Sequence, residues 1–233
     1  MFPSEISELK VYFNKSQIKL FDKYIEEFKI YNSHTNLISK NDEKVLFEKH
    51  IFDSLAFNLF AEKYNFPETL LDIGTGGGFP SVPISLAYSN IKVTAVDSTE
   101  KKINFLKQLK EKLKLQNINP VAARIEELPI EYKEKFDVVT TRALSSLPVI
   151  LEYAVPYLKT GGYFIAYKSL DSEKELEQAK NALKLLNTVL TEVIEYKLPL
   201  EENFNRKLLI FKKNKKTESI YPRKYSLIKK CPL

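Results

Sequence analysis

A chain of 233 residues, 44% hydrophobic and with no apolar run near the roughly 18 residues of a membrane span, reads as globular: one large α/β domain, or a domain with an appendage. The opening MFPSEISELK lacks the basic and apolar blocks of a signal peptide, the single Cys231 excludes an internal disulfide, and His34 and His50 alone give no metal-ligand spacing, so a cytoplasmic protein with no membrane partner and no structural metal is expected. The net charge of +6 is regional, because residues 206–231 hold ten Lys/Arg against Glu218, a local +9, whereas the rest of the chain has 26 basic and 29 acidic residues, about −3.

In chain order, residues 4–60 carry helical periodicity. Ser4 and Ser16 are the expected N-caps, and Ile18, Phe21, Ile25 and Phe28 recur at spacings of three and four. A second amphipathic helix, capped by Asn41 or Asp42, places Val45, Phe52, Leu55 and Leu59 on a stripe that His50 and Asp53 interrupt. Those two polar residues, three apart, occupy neighbouring positions of one helix face, and by themselves read as a surface or helix-internal hydrogen-bond pair. Residues 1–66 are thus expected as an N-terminal helical cap, closed by the link AEKYNFPET.

From Thr69 the texture alternates. LLDIGTGGGFP at Leu70–Pro80 ends an apolar run in an acid and follows it with four of the chain's six glycines, Gly74, Gly76, Gly77 and Gly78. This predicts a buried strand, a tight loop that approaches a ligand, and a helix whose first turn takes Pro80 and Pro83. Ile91–Val96 is a β-branched strand ending in Asp97, and residues 99–115 form a helix through Ile103, Leu106, Leu109 and Leu113. A weak strand at Ile118–Ala123 and a stronger one at Phe136–Thr141, before Arg142, follow. Leu147–Leu158 reads as helix, Gly161 and Gly162 as its stop, Tyr163–Tyr167 as strand, 173–190 as helix, and 192–197 and 207–212 as strands. The alternation predicts a doubly wound, mostly parallel Rossmann-like sheet of about seven strands over residues 67–213, with its ligand at the carboxyl ends of the strands, and a basic tail at 214–233 packed on or extending from it.

The loop fails the dinucleotide fingerprint, since the third glycine would fall on Phe79 or Ser81, and it lacks the lysine of a P-loop. A small amino-acid nucleoside suits it better than a pyrophosphate, with Asp97 accepting from both ribose hydroxyls. The basic run has two readings. One is a solvated tail; the other is a phosphate-binding patch, which Tyr221 and Tyr225 interleaved with Arg223 and Lys224 favour by adding stacking surfaces.

The glycine loop with Asp97 resembles the class I S-adenosylmethionine-dependent methyltransferases. A wider set of motifs resembles one group within them, the RsmG (GidB) family of bacterial small-subunit ribosomal RNA methyltransferases: NLIS at Asn36–Ser39, HIFDSL at His50–Leu55, DIGTGGGFPSVPISL at Asp72–Leu86, VDSTEKKINFL at Val96–Leu106, ARIEEL at Ala123–Leu128, FDVVTTRALSSL at Phe136–Leu147, GGYFIAYKS at Gly161–Ser169, and the terminal YPRK and KKCPL. Ser81 departs from it, standing where the family has glycine, and implies a slightly different turn into the following helix. The resemblance implies methyl transfer from S-adenosyl-L-methionine to N7 of a guanine in 16S rRNA, conventional position 527 of the 530 loop. It implies cofactor contacts from Gly74, Phe79, Ile125, Glu126 and Arg142, to which fold logic adds Gly76, Gly78, Asp97 and Ser98. Substrate contacts are expected at His50, Asp53, Lys168, Arg223, Lys224, Lys229 and Lys230, and Arg142 and Lys168 are the candidates nearest the chemistry. Guanine N7 already carries an in-plane lone pair, so no acid-base catalyst, thiol or metal is required. Charge develops as positive on the purine, which favours Arg142 gripping a cofactor carboxylate, a phosphate or a protein acid over touching N7. The partner is 16S rRNA or the small subunit, and the default state is a monomer. A methyltransferase on another RNA, a protein or a small molecule, or a non-catalytic RNA-binding module, are the alternatives; either of the first two non-RNA targets would leave the basic tail without a use.

Overall fold

A computed structural model describes residues 1–169, 172–200 and 204–233. The chain begins with a short hairpin, β1 (Glu5–Ile6) and β2 (Val11–Tyr12), and not with a helix capped by Ser4. Phe2, Ile6, Leu9 and Val11 are buried there at spacings of four, three and two, so the hairpin carries no strand period that would stand out in sequence. The first helix, α1 (Lys15–Thr35), is capped by Asn14, whose side chain accepts from Ser16 and Gln17 while Gln17 bonds back to the Asn14 N–H, a complete capping box. Ser39, not Asn41 or Asp42, caps α2 (Lys40–Lys44). The chain then winds as a π-helix over Phe47–Phe52, continuing as α3 (Asp53–Leu55) and α4 (Phe57–Tyr64).

The remainder alternates: β3 (Thr69–Ile73), α5 (Ser81–Ala87), β4 (Lys92–Asp97), α6 (Glu100–Leu113), β5 (Ile118–Ala122), β6 (Phe136–Arg142), α7 (Leu147–Ala154), β7 (Leu158–Ser169), α8 (Glu173–Gln178), α9 (Lys180–Leu185), β8 (Thr188–Lys197), β9 (Asn205–Lys213) and α10 (Tyr225–Lys230). Strands β3 to β9 form one seven-stranded sheet in the order β5-β4-β3-β6-β7-β9-β8, parallel except where β9 runs antiparallel to β7 and β8. The order reverses between β3 and β6, so the crevice for a ligand opens at their carboxyl ends, where the glycine loop sits.

Two further details differ from the sequence reading. Strand β7 starts at Leu158, paired with Phe136, and runs through Gly161 and Gly162, which therefore do not stop a helix. The predicted helix 173–190 breaks at Ala179 and ends at Leu185, because Asn187 takes a left-handed φ of 52° and turns the chain into β8. Two cores lie on opposite faces of the sheet. One joins the hairpin and α1 to α6, with Phe28 packed 5.4 Å from Phe79 and 5.7 Å from Phe105; the other joins α7, α9 and the C-terminal residues Tyr221 and Ile228. The N-terminal helices thus share a core with the sheet they cover. No helix among the described residues is long and apolar enough to cross a membrane.

Candidate functional site

The glycine loop is held from below and from the side. Beneath it, the buried Asp72 accepts from the Ser81 N–H at 3.3 Å and the Thr140 hydroxyl at 3.2 Å. Burial holds its carboxyl well up, to about 6, against the lowering effect of those hydroxyl and backbone donors. Ser81 shares a hydrogen bond between its hydroxyl and that of Thr75 at 2.5 Å, which ties the loop to α5. Beside it, Gly74 and Thr75 donate to the Val96 carbonyl, and Asp97 receives the Gly76 N–H at 2.9 Å on one oxygen and the Thr99 N–H at 2.9 Å on the other. Lys102 approaches the same carboxylate at 3.4 Å. The strand-end acid is therefore oriented by the loop it faces, with lone pairs left over for a ligand.

These groups open onto a cleft of about 690 Å³ lined by Gly74, Asp97, Ser98, Ile125 and Glu126 among others. Five of the nine residues expected to contact a cofactor are thus brought together. The other four lie elsewhere. Gly76 contributes its backbone N–H to Asp97, Gly78 packs under Val82 and Leu106, and Phe79 is buried among Phe28, His50 and Arg142. Arg142, expected at the cofactor, leaves the end of β6 in the other direction and enters a second cleft.

That second cleft, about 350 Å³, meets the first at Ala143, which lines both and turns the chain with a φ of 53°. Arg142 donates to Asp53 at 2.9 Å, to the Lys49 carbonyl at 3.2 Å and to His50 Nδ1 at 2.7 Å. The π-helical turn is what brings Lys49, His50 and Asp53 to one guanidinium. His50 and Asp53 are consequently buried and joined through Arg142, not paired on a surface as their spacing suggested. Tyr196 donates to the second Asp53 oxygen at 2.7 Å, and Arg206 approaches it at 3.9 Å. Lys168 bonds Glu175 at 2.7 Å and the Ser145 carbonyl at 3.2 Å, fastening the loop that separates the two clefts. Four cations, Lys49, Arg142, Lys168 and Arg206, line this cleft against two carboxylates, Asp53 and Glu175, so it favours an anion.

Burial and the neighbouring Arg142 charge push His50 down to about 3, so it is neutral near pH 7 and accepts from Arg142 through Nδ1. Its folded value lies below its unfolded value of 6.5, hence its contribution to stability is present above pH 6.5 and is lost as pH falls toward 3. The wild type is expected to lose roughly 2 kcal/mol between pH 7 and pH 4.5 from this group alone. Urea unfolding of His50→Gln should decline less steeply over that window; parallel pH dependence in the two proteins would count against it.

Among the expected substrate residues, Lys224, Lys229 and Lys230 are exposed, but Arg223 is committed to the buried Glu152. Lys213, in the same basic run, is fully buried and donates to the Val155 and Leu158 carbonyls. Sequence reasoning missed Arg124, Tyr153 and Tyr225 at the first cleft and Tyr196, Arg206 and Glu175 at the second. Arg206 and Tyr225 carried a signal as members of the basic run, and Arg124 as part of ARIEEL at Ala123–Leu128.

The sequence model of the GidB family, described as rRNA small subunit methyltransferase G, matches residues 17–205. A ribosomal RNA small subunit methyltransferase G of Lysinibacillus sphaericus is 41% identical, with 94% of this chain and 92% of the relative covered. The Fusobacterium nucleatum protein of the same name is 39% identical over 100% of this chain and 98% of its own length. Among solved structures, a methyltransferase from Pyrococcus furiosus superposes with a TM-score of 0.55 at 24% identity, covering 70% of this chain and 83% of that one. A Burkholderia thailandensis 1,6-didemethyltoxoflavin-N1-methyltransferase, solved with bound 1,6-didemethyltoxoflavin and S-adenosylhomocysteine, gives a TM-score of 0.57 at 14% identity, covering 84% of this chain and 90% of that one. The structural likenesses establish a methyltransferase-type fold.

Proposed function

Because this chain belongs to the rRNA small subunit methyltransferase G (GidB) family, we propose that it transfers a methyl group to N7 of a guanine in small-subunit ribosomal RNA, at conventional position 527 of the 530 loop, in the cytoplasm. The enzyme uses S-adenosylmethionine, which supplies, when bound, a methyl group made electrophilic by its sulfonium. The observation that carries the reading is the meeting of the two clefts at Ala143, one with a strand-end acid and glycine loop, the other cationic.

The residues present fit the cofactor. At Gly74, with φ at +70°, a Cβ would stand 2.7 Å from Leu144 Cδ1, so glycine lets the loop and Leu144 pack together along the edge of the first cleft. Asp97, already oriented by two backbone N–H groups, would accept from ribose hydroxyls, and Ile125 and Glu126 would flank the adenine. The second cleft would take the guanine, with Lys168 and Arg206 toward phosphate.

N7 needs no proton removed, so the chain's task is to align and to exclude water. Asp53 neutralises Arg142, which lowers the repulsion a bare guanidinium would exert on a purine becoming positive. Of the partners open to Arg142, a cofactor carboxylate, a phosphate or a protein acid, the contact with Asp53 supports the last. Lys168, through Ser145, would set the spacing between the clefts.

Tritiated S-adenosylmethionine offered with small subunits lacking the modification should label one guanine, mapped by borohydride reduction and aniline cleavage at position 527. Label at another position, or none, would refute the assignment.

A further inference from the structure

The C-terminal segment reaches the first cleft: Tyr225, Lys229 and Pro232 line it together with Gly74 and Asp97. Tyr225 and Lys229 are four residues apart on α10 and share one face. The Arg124 guanidinium carbon lies 4.2 Å from the Tyr225 ring centroid, and Glu126 holds Arg124 at 2.8 Å. The adenine-side residues of the cleft and the tail are therefore one stacked unit.

The segment is fastened separately from that stack. Arg223 donates to the carboxylate of Glu152, which is wholly buried in α7, from Nε at 2.8 Å, Nη2 at 2.7 Å and its backbone N–H at 2.9 Å. Lys133 Nζ donates to the carbonyls of Ser219 and Tyr221, and Tyr221 and Ile228 are buried in the core on the α7 side. Beyond these anchors the segment is open: Tyr225 is 42% exposed, and Lys224 and Lys230 are exposed beside it.

We propose that residues 214–233 form an outer wall of the cofactor cleft that RNA phosphates reinforce. Tyr225 lies along the bound adenosyl group, Lys224 and Lys230 take phosphates of the substrate, and each ligand holds the six-residue helix in the position that the other uses. Binding of the two is then coupled, and equally so in both directions. The proposal rests on the reading of the first cleft as the adenosyl site.

Equilibrium dialysis of tritiated S-adenosylhomocysteine with the full chain, with and without saturating unmethylated small subunits, tests it. Tyr225→Ala should weaken binding about tenfold and Tyr225→Phe should restore it, since stacking needs the ring and not the hydroxyl. Subunits should tighten the wild-type Kd about fivefold or more, the lower end of usual coupling. The double variant Lys224→Gln, Lys230→Gln should bind the nucleoside as the wild type does and lose that tightening. A wild type that binds no S-adenosylhomocysteine overturns the cleft assignment and the wall with it. Binding by the wild type with equal affinity in Tyr225→Ala, or with no effect of subunits, overturns the wall alone.

Discussion

Asp53→Ala is expected to lower the thermal midpoint by about 10 °C and to abolish methyl transfer, at about 3–5 kcal/mol for a buried ion pair broken from one side and about 2–4 °C per kcal/mol for a chain of this length. The magnitude follows from what the carboxylate holds. It is 4% exposed as a side chain, and it receives Arg142 at 2.9 Å and Tyr196 at 2.7 Å with Arg206 at 3.9 Å. Removing it leaves a guanidinium that is only 16% exposed without its counter-charge, together with a buried phenol without its acceptor. The double variant Asp53→Leu, Arg142→Met removes both charges and should recover most of the stability, because an apolar pair of similar volume does not carry the desolvation cost. It should not recover activity. Thermal unfolding with tritium transfer to small subunits separates these effects; a single variant that melts with the wild type would show that the buried pair is not what holds α3 against β6.

The sequence made the sheet legible and left this ion pair dark, for a physical reason. Strands β3, β4 and β6 are largely buried and read as short runs rich in apolar and β-branched residues, and Asp97 stands out as the acid that ends one of them. Those signals are local. The partnership of Arg142 with Asp53 spans 89 residues of chain and depends on a π-helical turn, which has no simple apolar period. From spacing alone His50 and Asp53 could only be placed on one face of a helix; that a third residue would join them was not available. Charge alone left Arg142 a choice among a cofactor carboxylate, a phosphate and a protein acid.

The basic C-terminal run shows the same limit from the other direction. Ten cations in a row of residues read as one surface, yet folding sorts them by what each meets. Lys213 ends in the sheet's interior on two carbonyls, Arg223 closes on a buried glutamate, and Lys224, Lys229 and Lys230 stay exposed. Composition counts charge, whereas burial decides which charges a phosphate can use.

Gly78→Ala and Gly76→Ala should separate the two uses that the loop makes of glycine. At Gly78 an added Cβ would stand 2.6 Å from Val82 Cγ2 and 2.8 Å from Leu106 Cδ2, with φ at +93°. Both neighbours are buried and have no room to retreat, so overpacking adds to backbone strain and the expected loss is about 3 kcal/mol, or roughly 6–12 °C in the thermal midpoint. At Gly76, with φ at +58°, the same atom meets nothing nearer than the Gly74 carbonyl at 3.9 Å. Its cost in stability is the left-handed backbone alone, about 1–2 kcal/mol. Its larger effect falls on the ligand, because a loop that shifts to relieve the strain weakens the Gly76 N–H bond that orients Asp97. S-adenosylhomocysteine affinity should therefore drop about tenfold or more in Gly76→Ala, in line with the loss of one charge-assisted hydrogen bond of about 1.5–3 kcal/mol. Thermal unfolding paired with calorimetric titration of both variants decides it. If Gly78→Ala melts with the wild type, the close packing of the loop on α5 and α6 is not what demands glycine there. If Gly76→Ala binds as the wild type does, the coupling from loop backbone to Asp97 is wrong.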